Sequence, residues 1–299
     1  MTAFFKSWGL DNSLQVTDFA SLQSNGVIGN PASVHLIGPD GNQRCKRVTV
    51  DGYPALEITV LPTDTITAFG HRTELIPATT TGGTTTDTVG IADWGGADAT
   101  KQRWYRVQFK IPKFDTSWLN INGSYLIVTQ LHQQPDTSPA DEVANPPLHF
   151  EIRDGTLQLT NISCAQTVTT SSNRTIRTLL TLPLEFDKWY DFVVNVQWSW
   201  TTLGKIKVWK DRKLIYHDIS APNCVNNSGS RGGGGNYAKL GIYTGYPLSN
   251  YTSQTLKIYH RGMVVGDENS SFADMYPELL NAVPINPDIS SSVLMPYLG

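Results

Sequence analysis

The sequence has few charged residues and no excess of either sign. Lys and Arg number 23 against 26 Asp and Glu, so the formal net charge is −3 and charged residues make up 16% of the chain, against roughly 25% in a typical soluble domain. A nucleic-acid-binding protein usually carries a basic excess. We therefore expect no nucleic acid partner.

Long apolar runs are also missing. No stretch of about 18 apolar residues occurs, so the sequence predicts no membrane span and no membrane partner. The first residues, MTAFFKSWGLDNSLQV, lack the apolar segment of a secretory signal. We nevertheless expect an extracellular protein, either secreted with its signal trimmed or carried on a virion, because Ser, Thr, Asn, Gln and aromatic residues dominate where charge is scarce.

Cysteine is scarce, with Cys45, Cys164 and Cys224 as the full set. Three widely spaced cysteines exclude a zinc-finger site and a disulfide framework. At most one bridge is expected, and Cys164 with Cys224 is the pairing we favour. Sequons for N-glycosylation occur at Asn122, Asn161, Asn173, Asn226, Asn250 and Asn269.

Aromatic and β-branched residues are abundant, with 8 Trp, 12 Tyr and 10 Phe. From about residue 45 to residue 263 they form short runs bounded by Gly, Pro, Asn or Asp, without a helical apolar period. This pattern predicts an all-β protein, a sandwich or jelly roll. The predicted strands are Tyr105–Ile111, Tyr125–Leu131, Leu148–Arg153, Thr156–Ile162, Arg177–Leu182, Trp189–Trp200, Lys205–Trp209, Lys213–His217, Ala238–Tyr243 and Thr255–Arg261.

Turn residues indicate the connections. Asp154-Gly155 and the segment Thr201–Gly204 are predicted hairpin turns. Thr79–Thr88 and Ser228–Gly235 are predicted flexible loops. Without a repeat or a clear boundary, we expect a single domain over residues 1–275 and a tail over 276–299 that packs on the domain or serves assembly, in a monomer.

Strand alternation assigns side chains to faces, because residues two apart in a strand point the same way. Four separated strands each put polar side chains on one face and apolar side chains on the other. These polar sets are Arg72 with Glu74, Gln130 with His132, His149 with Glu151 and Arg153, and Lys239 with Tyr243. Any one set alone would be an ordinary solvated strand face, so the argument depends on their joint occurrence.

Three of these segments, in this order, resemble the signature segments of jelly-roll polysaccharide lyases. They are R-T-E-L (Arg72–Leu75), Q-x-H (Gln130 and His132) and Y-x-K-x-G-x-Y (Tyr237, Lys239, Gly241 and Tyr243). The stretches Trp104–Pro112, Pro146–Gly155 and Trp189–Ser199 look most like the heparin-lyase-I-like and glucuronan-lyase branch. Alginate lyases usually end the last motif with Gln, where this chain has Gly245, and have Phe where it has Ala238. The resemblance covers about residues 45–275 and implies a concanavalin-like sandwich of two antiparallel sheets with a concave substrate cleft.

The implied chemistry is β-elimination on a uronic acid polymer, a carbon–oxygen lyase reaction. A base removes the proton at C5 and the oxygen at C4 leaves, which requires neutralisation of the adjacent carboxylate. The resemblance implies Arg72 and Gln130 as neutralisers with His132 or His71 beside them, and Tyr243 as the base, its pKa lowered by Lys239. His132 or His71 as base with Tyr243 as acid remains an open alternative. The expected substrate-binding residues are Lys239, Arg153, Glu151, Arg106, Lys110 and Tyr237, with Arg177 as a further cation of the cleft.

The expected partner is an acidic polysaccharide, with a β-1,4-glucuronan favoured over alginate. The chemistry requires no cofactor and we expect no catalytic metal site, while a structural calcium ion is left open. One alternative is a non-catalytic carbohydrate-binding protein of the same fold. Another is a glycoside hydrolase, which needs two carboxylates flanking the scissile bond, but Glu151 and Asp154 are out of phase in their strand.

Overall fold

The computed structural model describes residues 5–8, 36–37, 44–66, 70–75, 102–121, 123–133, 140–143, 146–226, 236–250, 253–266 and 268–276. Its strands are β1 (Phe5–Trp8), β2 (Leu36–Ile37), β3 (Cys45–Val50), β4 (Tyr53–Val60), β5 (Arg72–Leu75), β6 (Gln102–Lys110), β7 (Leu126–Gln133), β8 (Leu148–Arg153), β9 (Thr156–Ser163), β10 (Thr175–Pro183), β11 (Trp189–Gln197), β12 (Lys205–Lys210), β13 (Lys213–Asp218), β14 (Asn236–Thr244) and β15 (Leu256–Gly266). Three short 3-10 helices cover Ser117–Asn120, Leu248–Asn250 and Ala273–Met275. The all-β prediction is confirmed.

The strands form two antiparallel sheets. Sheet A has the order β13-β12-β11-β6-β15-β4-β3, with β1 pairing to β15, and sheet B has the order β10-β9-β8-β7-β14-β5-β2. Half of the neighbouring pairs in these two orders are not consecutive strands, and the chain crosses repeatedly between the two layers. The predicted loops Thr79–Thr88 and Ser228–Gly235 and the tail from residue 277 lie outside the described residues.

The core lies between the sheets and is built by the alternating apolar residues of their strands. Phe150 of sheet B packs on Phe192 of sheet A with ring centroids 4.4 Å apart, and Phe109 lies 6.0 Å from both rings. Burial of each such side chain contributes about 1.5–3 kcal/mol. The same alternation turns the residues between them, such as His149 and Glu151, toward the opposite side of sheet B.

Both predicted hairpin turns are confirmed. Asp154 and Gly155 have positive φ values of 50° and 70°, as a type I′ turn requires, and Arg153 pairs with Thr156 across it. The turn after β11 brings Gln197 opposite Lys205. Turn chemistry therefore set these two connections locally.

The predicted Cys164–Cys224 bridge is wrong, since both thiols are free. The backbones of these residues do meet, with the Cys164 amide donating to the Cys224 carbonyl. The Cys164 thiol instead donates to Asn173 Oδ1 at 3.3 Å, because its side chain points toward the 165–173 loop.

The outer face of sheet A is covered by the segment 268–276. Met275 and Tyr276 are buried there against Val193 and Val264, with Trp104, Trp209 and Phe272 around them. Sheet A therefore has a packed outer face, which leaves the outer face of sheet B as the place for the polar sets. No helix in the described ranges is long and apolar enough to span a membrane.

Candidate active site

The outer face of sheet B brings the four polar sets together on adjacent strands β5, β14, β7 and β8. The ladder places Arg72 opposite Tyr243, Lys239 opposite Gln130, and Gln130 opposite His149. These side chains form two rows on one face of the sheet, because directly opposed residues share a face. Strands far apart in sequence thus assemble one polar surface.

Glu74 is the anion at the centre of this surface, and its side chain is 2% exposed. Gln130 Nε2 donates to Glu74 Oε1. The other carboxylate oxygen, Oε2, lies 3.7 Å from Arg72 Nη1 and 3.9 Å from Lys239 Nζ. Lys239 is also buried, which lowers its pKa while Glu74 opposes that shift. The sequence pattern paired Glu74 with Arg72 but did not reveal that it also joins Gln130 and Lys239.

Gly241 allows this assembly because it lies directly opposite Glu74. Its φ is +148°, and a Cβ at this position would overlap the Thr73 carbonyl oxygen. The ladder to β7 shifts register between Leu240 and Tyr243. The close approach of β14 to β5 therefore depends on a residue without a side chain.

Tyr243 is half-buried, and the Arg72 guanidinium lies over its ring with Cζ 4.1 Å from the centroid. This cation–π contact fixes the two side chains relative to each other and places positive charge beside the phenol.

Tyr125 is a further residue of the site that the sequence did not single out. Its ring lies edge-on to Tyr243 with centroids 6.1 Å apart, and the Arg153 guanidinium lies 4.9 Å from the centroid of the Tyr125 ring. Burial raises the pKa of Tyr125, and its interaction with Tyr243 adds to the shift. Tyr125 immediately precedes β7. A register shift between Ile127 and Thr129 interrupts the alternation of side chains along β7, so the face of Tyr125 could not be predicted from that of Gln130.

The tautomer of His132 follows from its contact with a backbone carbonyl. Its Nδ1 lies 2.6 Å from the Gln133 carbonyl oxygen, and because a carbonyl only accepts, Nδ1 carries the hydrogen. Burial, together with the positive charge of Lys239, holds the pKa of His132 well below its usual value. A neutral imidazole therefore presents Nε2 as an acceptor.

Glu151 anchors the neighbouring part of the face. Thr160 Oγ1 donates to it at 2.8 Å, Arg153 Nη2 lies at 3.1 Å and His149 Nε2 at 3.7 Å. Burial opposes ionisation, but His149 and Arg153 outweigh it and lower the pKa of Glu151 to about 2. Glu151 is thus a fixed anion that orients Arg153 and His149.

Three of the predicted site residues are not brought to this face. His71 is 1% exposed and lies on the inner side with Thr73, whose hydroxyl donates to the Thr59 carbonyl of sheet A. Arg106 and Lys110 lie on sheet A, where Arg106 binds Asp191 at 2.7 Å and Lys110 binds Asp51 at 2.8 Å. His71 is one residue before Arg72 and is therefore out of phase with it along the strand. For Arg106 and Lys110, membership of a sheet is a long-range property that the local sequence does not give.

Two further predicted residues are placed by their strands. Tyr237 lies opposite His132 in the ladder, although its side chain falls outside the described structure. Arg177 on β10 contacts Asn161 and Asp218, and so ties the edge of sheet B to that of sheet A. Within the described ranges, no group of three or more His, Cys, Asp or Glu side chains could hold a metal ion.

Comparisons with known proteins identify the family and the fold. The profile of a family described as polysaccharide lyase matches residues 17–263. The chain belongs to the polysaccharide lyase family. No curated protein sequence matches this lyase.

Solved structures with the same fold include two lyases. An endo-β-1,4-glucuronan lyase from the fungus Trichoderma reesei superposes with a TM-score of 0.56 at 15% identity, covering 91% of this chain and 97% of that one. A marine alginate lyase from Aplysia kurodai gives a TM-score of 0.54 at 13% identity, covering 89% and 98%. The predicted jelly-roll fold is confirmed.

Proposed function

We propose that this lyase cleaves a uronic-acid-containing polysaccharide by β-elimination at the outer face of sheet B. The observation that carries the proposal is the cluster of Arg72, Gln130 and Lys239 around Glu74. The Arg72 guanidinium also lies over the ring of Tyr243. A proton next to a carboxylate becomes acidic only when the charge that develops on that carboxylate is stabilised. The site supplies cations, an amide donor and a base within one surface.

Glu74 decides which atoms of Gln130 meet the substrate. Because a carboxylate only accepts, Gln130 must turn Nε2 toward Glu74. That nitrogen has two hydrogens, of which one is used on Glu74 and the other is left to donate to a substrate carboxylate. With Lys239 protonated, Arg72 and Lys239 exceed Glu74 by one positive charge, which favours a bound uronate.

One tyrosine serves as both the base and the acid of the reaction. Tyr243, acting as the phenolate, takes the C5 proton, and the C5–H electron pair moves onto the adjacent carboxylate as an enolate-like dianion. That pair then forms the C4–C5 double bond as the C4–O bond breaks, the C4–O electrons go to the leaving oxygen, and Tyr243 returns the proton to that oxygen. His132, with Nε2 as an acceptor, is placed to hold the substrate or to share this proton.

The carboxylates described on the outer face of sheet B do not fit the hydrolase alternative. A glycoside hydrolase requires a carboxyl group that remains protonated near neutral pH. Glu151 instead has its pKa lowered to about 2, and Glu74 is held by an amide and two cations. Glu151 is therefore an anion rather than the acid that a hydrolase needs.

A β-1,4-linked glucuronan is the substrate we favour over alginate. The support is the resemblance of the sequence to the glucuronan-lyase branch, and Gly245 where alginate lyases usually have Gln. In glucuronate, as in mannuronate, the C5 proton and the C4 oxygen lie on the same side of the ring, so one tyrosine can serve both.

The experiment is an assay of the purified protein on glucuronan, alginate, heparin and hyaluronan separately. The measurement is the ultraviolet absorbance of the unsaturated uronate that elimination creates. We expect a rise on glucuronan that Tyr243→Phe reduces at least about 100-fold, because the base is lost. Tyr53→Phe, an exposed tyrosine on sheet A, is the matched control and should keep the wild-type rate.

Two outcomes of this assay would contradict parts of the proposal. If the wild type binds one of these polymers but produces no unsaturated sugar from any of them, elimination is excluded for these substrates. A rise on alginate alone would retain the lyase mechanism and overturn the glucuronan preference.

A further inference from the structure

The space beside Gly245 is filled by the ring of Tyr125. A Cβ built at residue 245 would lie 2.5 Å from Cε1 and 2.7 Å from Cζ of Tyr125, closer than side chains pack. The Gly245 amide also donates to the Tyr125 carbonyl at 2.9 Å. Gly245 and Tyr125 are therefore a matched pair, in which the missing side chain of one makes room for the ring of the other.

That placement brings the second phenol against the proposed base. The Tyr125 ring meets the Tyr243 ring edge-on, and a guanidinium lies over the face of each ring, Arg72 over Tyr243 and Arg153 over Tyr125. The two phenols are neighbours, and each has a guanidinium over its ring. A single negative charge shared between the two phenols is therefore stabilised by both cations. Burial raises the pKa of Tyr125, so Tyr125 is the phenol of the pair that keeps its hydrogen.

We propose that Tyr125 is a positioning residue that donates a hydrogen bond to Tyr243 in its ionised form, and that glycine at position 245 is required for this contact. The inference rests on the proposed function, because it acts through the base of that reaction. Tyr125 itself transfers no proton to the substrate. It holds the Tyr243 oxygen in one direction and stabilises its charge.

The charged groups around the pair come from three strands. Arg72 belongs to β5 and lies on Tyr243, while Glu151 and Arg153 belong to β8 and act on Tyr125. Lys239 and Glu74 lie further along the same face. Since these groups stay in place when the Tyr125 hydroxyl is removed, a change in pH dependence can be assigned to the lost hydrogen bond.

The test is the pH profile of kcat and KM for Tyr125→Phe, which keeps the ring and removes the hydroxyl. A hydrogen bond donated to an anion favours the charged form. Without it, we expect the acid limb of the kcat profile to move to higher pH by about one unit and kcat on that limb to fall about 10-fold. KM should stay within about 2-fold, because Tyr125 acts on the base rather than on the ground-state substrate.

A second variant tests the requirement for glycine. Gly245→Ala leaves both hydroxyls present but pushes the Tyr125 ring away, so it should reproduce the shift of the acid limb. Tyr53→Phe should leave the profile unchanged. An unshifted profile with a lower rate in both test variants would indicate a merely structural role and overturn the proposal.

A spectroscopic readout separates this inference from the proposed function. In protein with tyrosine isotope-labelled at Cζ, the Tyr243 resonance is assigned by its loss in Tyr243→Phe. That resonance should shift in Tyr125→Phe and in Gly245→Ala but not in Tyr53→Phe. If the Tyr243 resonance does not move, the contact with Tyr125 is disproved whatever the activity. If the wild type is inactive on every polymer, the proposed function is disproved even if the resonance moves.

Discussion

At the scale of the residue, the buried carboxylate of Glu74 decides how the polar side chains of the face are arranged. Exposed ion pairs contribute little to stability, and the R-T-E-L pattern alone is compatible with such a pair. In the structure Glu74 instead holds an amide and two cations, with its own side chain and that of Lys239 almost fully buried. Removing one member of a buried pair leaves the other charge uncompensated.

Glu74→Gln should therefore destabilise the protein by about 3–5 kcal/mol. The measurement is the free energy of unfolding in denaturant at neutral pH. The double variant Glu74→Gln with Lys239→Met removes the stranded ammonium as well and should recover part of the loss. Glu185→Gln is the matched control, since Glu185 forms a pair with Lys188 on the surface, and should cause no measurable change.

Equal losses in the single and the double variant would contradict this account of Glu74. They would mean that the carboxylate is held by packing rather than by Lys239.

At the scale of the element, strand pairing converts a local alternation into a site. Gln130 and His132 lie two residues apart and share a face by strand geometry, which the sequence predicts. That β7 lies between β14 and β8 follows from the sheet order and from no local signal. The pairing of β14 with β5 tolerates no side chain at Gly241, because the two strands approach closely there.

Gly241→Ala should cost at least about 2 kcal/mol, because it adds backbone strain at positive φ and a steric overlap with β5. It should also lower kcat/KM by displacing Glu74. Gly155→Ala is the matched control, since Gly155 also has positive φ but has no atom within 4 Å of a built Cβ. Thermal unfolding and the absorbance assay measure the two effects, and similar losses of stability in the two variants would contradict the steric explanation.

At the scale of the whole molecule, the core between the sheets includes a neutral histidine. His260 is 0% exposed and lies against Phe109 with ring centroids 6.0 Å apart. Burial lowers its pKa to about 3. The unfolded chain therefore binds a proton at this residue near pH 6.5 that the folded chain does not bind until about pH 3.

Stability should consequently fall as the pH drops from about 6.5 toward 3, by at most about 1.4 kcal/mol per pH unit for this one group. His71 and His132, whose pKa values are also lowered, add to the slope. His260→Leu should make the dependence of the free energy of unfolding on pH less steep. His217→Gln, at an exposed position, should leave the slope unchanged, and an unchanged slope in His260→Leu would contradict the assignment.

The sequence by itself determined ten of the strands, two hairpin turns and the shared face of each of the four polar sets. Leu148–Arg153 was predicted with the bounds that the structure gives, and the Asp154-Gly155 turn followed from the residues it needs. These properties depend on neighbours one to four residues apart. They can therefore be predicted from the sequence alone. The order of the three motifs predicted the lyase family.

Only the tertiary structure decided which of these side chains meet. It places Arg106 and Lys110 on the opposite sheet, turns His71 inward, leaves Cys164 and Cys224 unbridged and seats Tyr125 in the space beside Gly245. The physical reason is that sheet membership and register depend on pairing between strands far apart in sequence. Alternation tells which way a side chain points within its own strand, and long-range pairing decides what it faces.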